Sequence, residues 1–379
     1  MIRGQGGTSE ERRRRGRRRP VTAAEVIDFL EYLAPPSLSV PEEPHGLQVG
    51  APTAEVSTVV VAPMASFTSM STAASRKNAI LVTAAPLLTE PLMAVRRDDP
   101  IGNKLAYLLE HRISLYCLAN SYAAAPGGFD DCLAEKLGLA GTAPLKPTTY
   151  EPLFKFAVYT PESAVDAVLN AAAEAGAGRI GNYTECSFQT RGTGTFRGGP
   201  GARPAIGEAG RLERVDETRL EMVVPQRELS GVIAAVIEAH PYEEVAYDVI
   251  PVKNPGLAYG RGRFGELPLK VSLDTVLAQV QDGLEVKSVR CSHRPEFAIG
   301  SLAVASGNSD GLFWEAHRAG AGAFVVGGLS TRDLMSADNS TTVVIEVGFP
   351  ASVRPGLQWL SDQLTGTFEA DGIEIVSCA

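Results

Sequence analysis

Histidine is scarce in this chain, with five in 379 residues and none beyond His317. The five are His45, His111, His240, His293 and His317, and none has a partner at metal-ligand spacing. Spacing alone therefore nominates no histidine metal box. Cysteine is equally sparse: Cys117, Cys132, Cys186, Cys291 and Cys378 are scattered, odd in number and include no CxxC pair. That excludes a disulfide framework and a zinc knuckle, and predicts a reducing, cytoplasmic setting. No apolar run approaches the roughly 20 residues that span a bilayer, so no membrane partner is expected. There is no G-x-S-x-G elbow and no cysteine with a nearby histidine signature. Residues alone nominate no nucleophile, base or metal centre.

What is present is ordinary for a globular protein, with 44% hydrophobic and 21% charged residues. The length allows two or three domains. Net charge is −9, unevenly spread. Residues 1–20 carry eight arginines against Glu10 and Glu11, a tail near +6 on a body near −15. Such an arm either stays disordered and solvated or contacts nucleic acid or another acidic surface; an early start codon would also explain it. No apolar segment follows the arginines, so the tail does not read as a secretory signal. The acidic body argues against nonspecific DNA binding by the whole molecule.

Thr22-Ala-Ala-Glu25 reads as a capping box opening a helix with an apolar stripe at Val26, Phe29, Leu30 and Leu33. Strands are then expected at 58–62, 79–83 and 113–118, with helices at 66–77, 102–111 and 129–137. This alternation implies an α/β layer of largely parallel strands. A Pro- and Thr-rich break follows at 141–152. The next stretch predicts a strand at 154–160, a helix at 161–175, strands at 185–190 and 195–196 around a Gly-rich loop, a strand at 219–224, a helix at 226–239 and a strand at 246–251. The order βαββαβ is that of a ferredoxin-like module. Residues 255–265 read as a Gly-rich linker. Beyond it, strands are expected at 288–291, 302–305, 323–326, 342–347 and 372–376, with helices at 310–318 and 353–364. The plan is one discontinuous α/β domain, 21–150 with 256–379, interrupted by an α+β insert at 151–255 and preceded by the tail 1–20.

Two segments match GxGxxG: Gly176-Ala-Gly178-Arg-Ile-Gly181 and Gly260-Arg-Gly262-Arg-Phe-Gly265. A dinucleotide site needs this pattern between a strand and a helix. The first follows a helix and the second sits in the expected linker, so both read as loop glycines. The glycine-rich 192–210 stretch could cradle an anion with Arg191, Arg197 and Arg203, or serve as a hairpin connection; it has no Walker lysine. His240-Pro-Tyr-Glu243-Glu244 is the densest polar group. It reads either as a weak ligand-binding cluster or as a helix C-terminus with His240 near the negative end of the dipole.

Several segments carry a family resemblance: His45-Gly-Leu-Gln-Val-Gly50, Ala125-Pro-Gly-Gly128, Leu133-Ala-Glu-Lys-Leu-Gly-Leu139, Arg179-Ile-Gly-Asn-Tyr-Thr-Glu-Cys-Ser-Phe188, Gly192-Thr-Gly-Thr-Phe196, Ile206-Gly-Glu208 and His240-Pro-Tyr-Glu-Glu-Val-Ala-Tyr-Asp248. From about Val21 onward the chain resembles the Nif-three-like family, the GTP cyclohydrolase I type 2 homologs or dinuclear-metal-centre hexameric proteins, with the PII-like/CutA-like insert of many members. The resemblance implies a discontinuous Nif-three-like α/β domain with an inserted PII-like ferredoxin-like domain. It also implies a toroidal homohexamer with two metals per subunit, and a possible small-molecule ligand at the insert by analogy with PII-like modules.

The resemblance also locates the metal ligands in three segments, and here this chain departs from the pattern. Ala84 and Ala85 stand for the His-His of the first segment. Ala119 and Ala123 stand for the histidine and aspartate of the second, and Phe349 and Val353 for the histidine and glutamate of the third. Pro63, Gly328 and Glu43-Pro44 replace further acidic or Asp-Asn positions of the family. Alanine, valine and phenylalanine coordinate nothing, so no metal and no cofactor is expected, and metal-assisted hydrolysis loses its hydroxide. The reading that follows is a non-catalytic, ring-forming structural, ligand-binding or regulatory protein. Two alternatives stay open. One is a hydrolase of the family's kind using His240, Glu243 and Glu244 with Glu185 or Glu208; the other is a scaffold tethered to nucleic acid by the arginine tail.

Overall fold

A computed structural model describes residues 19–39, 43–199, 208, 210–338 and 340–378. The arginine tail lies outside them apart from Arg19 and Pro20, as do Arg203 and Ile206. Helix α1 (Ala23–Leu33) starts as expected: the Glu25 carboxylate accepts from the Thr22 N–H and hydroxyl, both at 2.9 Å. The chain continues through β1 (Gly46–Val49), β2 (Thr58–Ala62), α2 (Phe67–Ala74), β3 (Ala79–Thr83), α3 (Pro100–Glu110), β4 (Ser114–Cys117), α4 (Ala119–Ala124) and α5 (Phe129–Lys136). Strands β2 to β4 are buried along their whole length, which is why they read as apolar runs without alternation.

Next come β5 (Ala143–Tyr150), β6 (Leu153–Pro161), α6 (Val165–Glu174), β7 (Ser187–Arg197), β8 (Leu212–Pro225), α7 (Leu229–Ala239) and β9 (Tyr247–Val252). The last part holds β10 (Ala258–Val271), α8 (Leu273–Leu284), β11 (Arg290–Cys291), β12 (Ile299–Asn308), α9 (Phe313–Arg318), β13 (Ala323–Gly328), α10 (Thr331–Ala337), β14 (Val343–Glu346), α11 (Phe349–Phe368) and β15 (Glu374–Ser377).

The residues form two compact units, one up to Thr148 joined with Tyr259–Ala379, the other Thr149–Ala258. The larger unit holds two sheets. The first has the order β1-β4-β3-β2-β15, parallel except for β1. The second has the order β11-β14-β13-β12-β10-β5, with β12, β13 and β14 parallel. Apolar clusters cover both faces of each sheet. The smaller unit is βαββαβ with an antiparallel sheet of order β7-β8-β6-β9, the ferredoxin-like arrangement, and α6 and α7 cover its buried Phe156, Val158, Leu220, Met222 and Val224. Among the described residues no helix is long and apolar enough to cross a membrane.

Three expectations are corrected. The break at 141–152 and the linker at 255–265 contain strands β5 and β10 of the second sheet. Pro144 and Pro147 are tolerated because β5 is the outermost strand. Gly260 and Gly262 of β10 are required by close approach: a Cβ at Gly260 would meet the Lys146 carbonyl oxygen at 2.1 Å, and one at Gly262 would meet Leu145 Cβ at 2.8 Å. The second GxGxxG is thus a strand pressed against its neighbour. Likewise, the two short strands around a loop at 185–196 are one continuous strand, β7, paired with β8 from Ser187 to Arg197.

Candidate functional site

The six positions that matter most in the sequence come together. Ala84 and Ala85 follow β3, Ala119 and Ala123 belong to α4, and Phe349 and Val353 open α11; all six line one cavity of about 370 Å³. The cavity lies at the carboxyl ends of β3, β4 and β12, where open α/β sheets place their ligands. Ala84, Ala119, Ala123 and Val353 are buried, as is the neighbouring Phe129. Ala119 itself has a left-handed backbone, φ 48°. It turns the chain from β4 into α4, with its N–H donating to the Ala84 carbonyl at 3.2 Å. This end of the cavity is apolar.

The other wall is polar: Glu43, Asn120, Lys146, Thr148, Arg261, Ser306, Asn308 and Asp310. Sequence reasoning did not single out Lys146, Arg261, Asn308 or Asp310. The one available signal was the arginine alternating with glycine in Gly260-Arg-Gly262, a strand period hidden by the loop reading. Arg261 is 9% exposed and firmly held. Its Nε donates to Asp130 at 3.3 Å, one terminal nitrogen donates to the Ser306 carbonyl at 2.8 Å, and the other donates to the Asn120 side-chain oxygen. Asp130 is fully buried in the first turn of α5. It accepts three further bonds, from Gly262 N–H at 2.6 Å, Ser306 N–H at 2.7 Å and Ser306 hydroxyl at 2.5 Å. One carboxylate therefore ties α5, β10 and β12 together behind the cavity. Asp131 beside it accepts from the Gly127 N–H at 2.9 Å and pairs in two-pronged fashion with the buried Arg263.

Among the described residues, Glu43 and Asp310 are the only His, Cys, Asp or Glu side chains that line the cavity, and both are engaged. Glu43 accepts from the Ser39 hydroxyl at 2.9 Å and the Asn120 N–H at 3.4 Å, and Asp310 accepts from the Ser330 N–H. Among the described residues no group of three or more His, Cys, Asp or Glu side chains is placed to hold a metal ion. Cys117, at the end of β4, directs its thiol to the Ala84 carbonyl at 3.7 Å, and burial pushes that thiol up to about 12, so it stays protonated near neutral pH. Gly328 lines a neighbouring groove of about 360 Å³ that shares Gly307, Asn308, Asp310 and Phe349 with the cavity; Pro63 lines neither.

The other candidates from the sequence, His240, Glu243, Glu244, Arg191 and Arg197, belong to the smaller unit. Glu243 and Glu244 are exposed. Arg191 pairs with Glu162, and Arg197 donates to the Gly210 carbonyl at 2.9 Å. Glu185, in a left-handed conformation, lines a separate pocket with Arg179 and Glu174. His240 is buried with both nitrogens committed: Nδ1 accepts from the Tyr242 N–H at 3.1 Å and Nε2 lies 3.1 Å from the Tyr159 carbonyl. These partners fix the neutral tautomer with its proton on Nε2.

Burial holds the His240 imidazole below the ordinary histidine range, against the opposing pull of the Tyr159 carbonyl. The folded state therefore takes up this proton less readily than the unfolded chain. The resulting stability is fully present above about pH 6.5 and is lost as pH falls through that value toward the lower folded pKa. Melting of the smaller unit is expected to shift down between about pH 7.5 and 5.5, and His240→Gln to flatten that dependence in circular dichroism melts. An unchanged slope in the variant would exclude His240 as the titrating group.

The sequence pattern of the family described as Duf34/NIF3 (NGG1p interacting factor 3) matches residues 21–379. The chain belongs to the Duf34/NIF3 family. Similar relatives include the GTP cyclohydrolase 1 type 2 homolog of Bacillus subtilis, 35% identical over 82% of this chain and 83% of its own length. The protein of the same name from Mycobacterium tuberculosis is 36% identical over 77% of each. Among solved structures, a Bacillus cereus protein related to NIF3 superposes with a TM-score of 0.80 at 30% identity, covering 95% of this chain and 97% of that one. The Duf34/NIF3 fold is therefore shared along nearly the whole length.

Proposed function

We propose that this Duf34/NIF3 protein works without a dinuclear metal centre, and that the cavity is a ligand-binding site in a non-catalytic, ring-forming regulatory or structural protein. One observation carries the reading: the six positions at which the resemblance puts metal ligands converge on one cavity, and their side chains contain only carbon. Zinc, iron or manganese needs nitrogen, sulfur or oxygen donors at about 2.0–2.3 Å. Glu43 and Asp310 are the two carboxylates in the wall, with no histidine or cysteine beside them among the described residues, fewer donor side chains than two metal ions need. The donor set does not fit two metal ions. The hexamer and the cytoplasmic setting belong to the same proposal and rest on the resemblance.

The test is metal content by mass spectrometry on tag-free protein, after incubation with zinc, manganese and iron followed by desalting. Less than about a tenth of a metal per subunit is the expected result. Two retained metals per subunit, or GTP turnover abolished by chelation, would overturn the reading and restore the hydrolase suggested by the relatives' name.

A further inference from the structure

We propose that the cavity takes a small organic monocation, a primary ammonium group on a compact apolar or aromatic body. This rests on the metal-free reading above and names the ligand class for the same site.

Charge decides the class of ligand. The charged side chains of the cavity wall are Glu43, Lys146, Arg261 and Asp310. Arg261 has a counter-charge behind it in the buried Asp130, whose carboxylate lies 3.3 Å from its Nε, so this pair is neutral as a unit. Two carboxylates then stand against one free cation. Lys146 is exposed and, among the described residues, its ammonium has no ion-pair or hydrogen-bond partner. Whichever carboxylate that ammonium screens, one negative charge of the wall stays unbalanced.

Glu43 and Asp310 also keep acceptor capacity. Glu43 is bonded only through Oε2, to the Ser39 hydroxyl at 2.9 Å and the Asn120 N–H at 3.4 Å, and Asp310 only through Oδ1, to the Ser330 N–H. These donors are neutral, so they occupy lone pairs without cancelling charge. Glu43 Oε1 and Asp310 Oδ2 have no hydrogen-bond partner among the described residues. An ammonium group has three N–H donors and no acceptor, and it makes charge-assisted bonds to carboxylates. Glu43 is half-buried, which strengthens its attraction for a cation relative to a carboxylate in open water.

The apolar end sets the rest of the ligand. Ala84, Ala119, Ala123, Val353 and Phe129 are buried and offer no polar side-chain atom, with the half-buried Phe349 ring beside them. About 370 Å³ is within the range of small-molecule sites. A bare inorganic cation would leave the apolar end unfilled, and a neutral aromatic molecule would leave the charge of the wall unbalanced. An anion would meet both carboxylates, and a dication would exceed the one net negative charge.

The experiment is titration calorimetry of full-length protein near neutral pH with benzylamine, with methylammonium, benzyl alcohol and benzoate as comparators, in the presence and absence of a chelator. Benzylamine is expected to bind independently of the chelator and at least about tenfold more tightly than each comparator. Glu43→Gln and the exposed Asp310→Asn are each expected to weaken it about tenfold, and Lys146→Gln to tighten it about threefold by removing the opposing charge. Ala85→Leu is expected to block it by filling the cavity. No benzylamine binding with or without the chelator would overturn this proposal and leave the metal-free reading standing. Equal binding of benzyl alcohol or benzoate, unchanged affinity in both carboxylate variants or in Ala85→Leu, or weaker binding in Lys146→Gln would also overturn it. Benzylamine binding that is lost on chelation would overturn both readings.

Discussion

Replacing Asp130 by alanine is expected to cost the larger unit about 3–5 kcal/mol of unfolding free energy. The side chain is fully buried and accepts four hydrogen bonds, from Arg261 Nε, Gly262 N–H, Ser306 N–H and Ser306 hydroxyl. Alanine removes the acceptor from all four at once. Two backbone N–H groups then lie buried without partners, each costing about 1–3 kcal/mol, and the Arg261 guanidinium keeps its charge without a counter-charge. Water entering the space left by the carboxylate offsets part of this, which keeps the total below the sum of the pieces. Asp130→Asn retains one acceptor oxygen and is expected to fall between wild type and alanine. Both tryptophans, Trp314 and Trp359, lie in the larger unit, so fluorescence during urea unfolding reports that unit alone. A cost below about 1 kcal/mol for Asp130→Ala would contradict the role given to this carboxylate.

How much of the fold is legible in the sequence depends on where burial and sequence pattern agree. Strands β2 and β3 are enclosed on both faces, so Thr58–Ala62 and Ala79–Thr83 appear as solid apolar runs. The insert announces itself through its βαββαβ order and its helix ends. Strands β5 and β10 stay hidden for opposite reasons. β5 is an edge strand, free to carry Pro144 and Pro147, while β10 is so closely approached that it carries glycine at 260 and 262. Both residue types punctuate loops in most sequences. The six altered positions can be named from the resemblance, and they do share one cavity. Their polar counterparts cannot. Lys146 and Arg261 reach the cavity on the two hidden strands, and the Asp130–Arg261 pair spans 131 positions of sequence. Pairings of that separation leave no local periodicity to read.

Phe129→Ala is the second large effect, expected at about 3–5 kcal/mol for the larger unit. The ring is 2% exposed, meets Tyr122 edge-to-face with centroids 4.7 Å apart and forms part of the cavity wall. Its partner surface on α11 is shaped for it. A Cβ at Gly356 would come within 2.5 Å of the Phe129 ring and 2.9 Å of its backbone. Glycine inside a helix normally costs about 1 kcal/mol relative to alanine, so Gly356 exchanges helix propensity for this close packing. Two opposing terms then fix the sign of a second substitution. In the wild-type background Gly356→Ala gains about 1 kcal/mol of propensity but forces apart two packed helices, for a net loss of about 1–2 kcal/mol. In the Phe129→Ala background the clash with the ring disappears while the clash with the backbone of residue 129 remains, so the loss should shrink toward zero without becoming a full gain. The coupling energy from a double-mutant cycle is therefore expected to be favourable by about 1–2 kcal/mol. Strictly additive effects would mean that Gly356 is not there to admit Phe129, and that the apolar end of the cavity is held in place by something else.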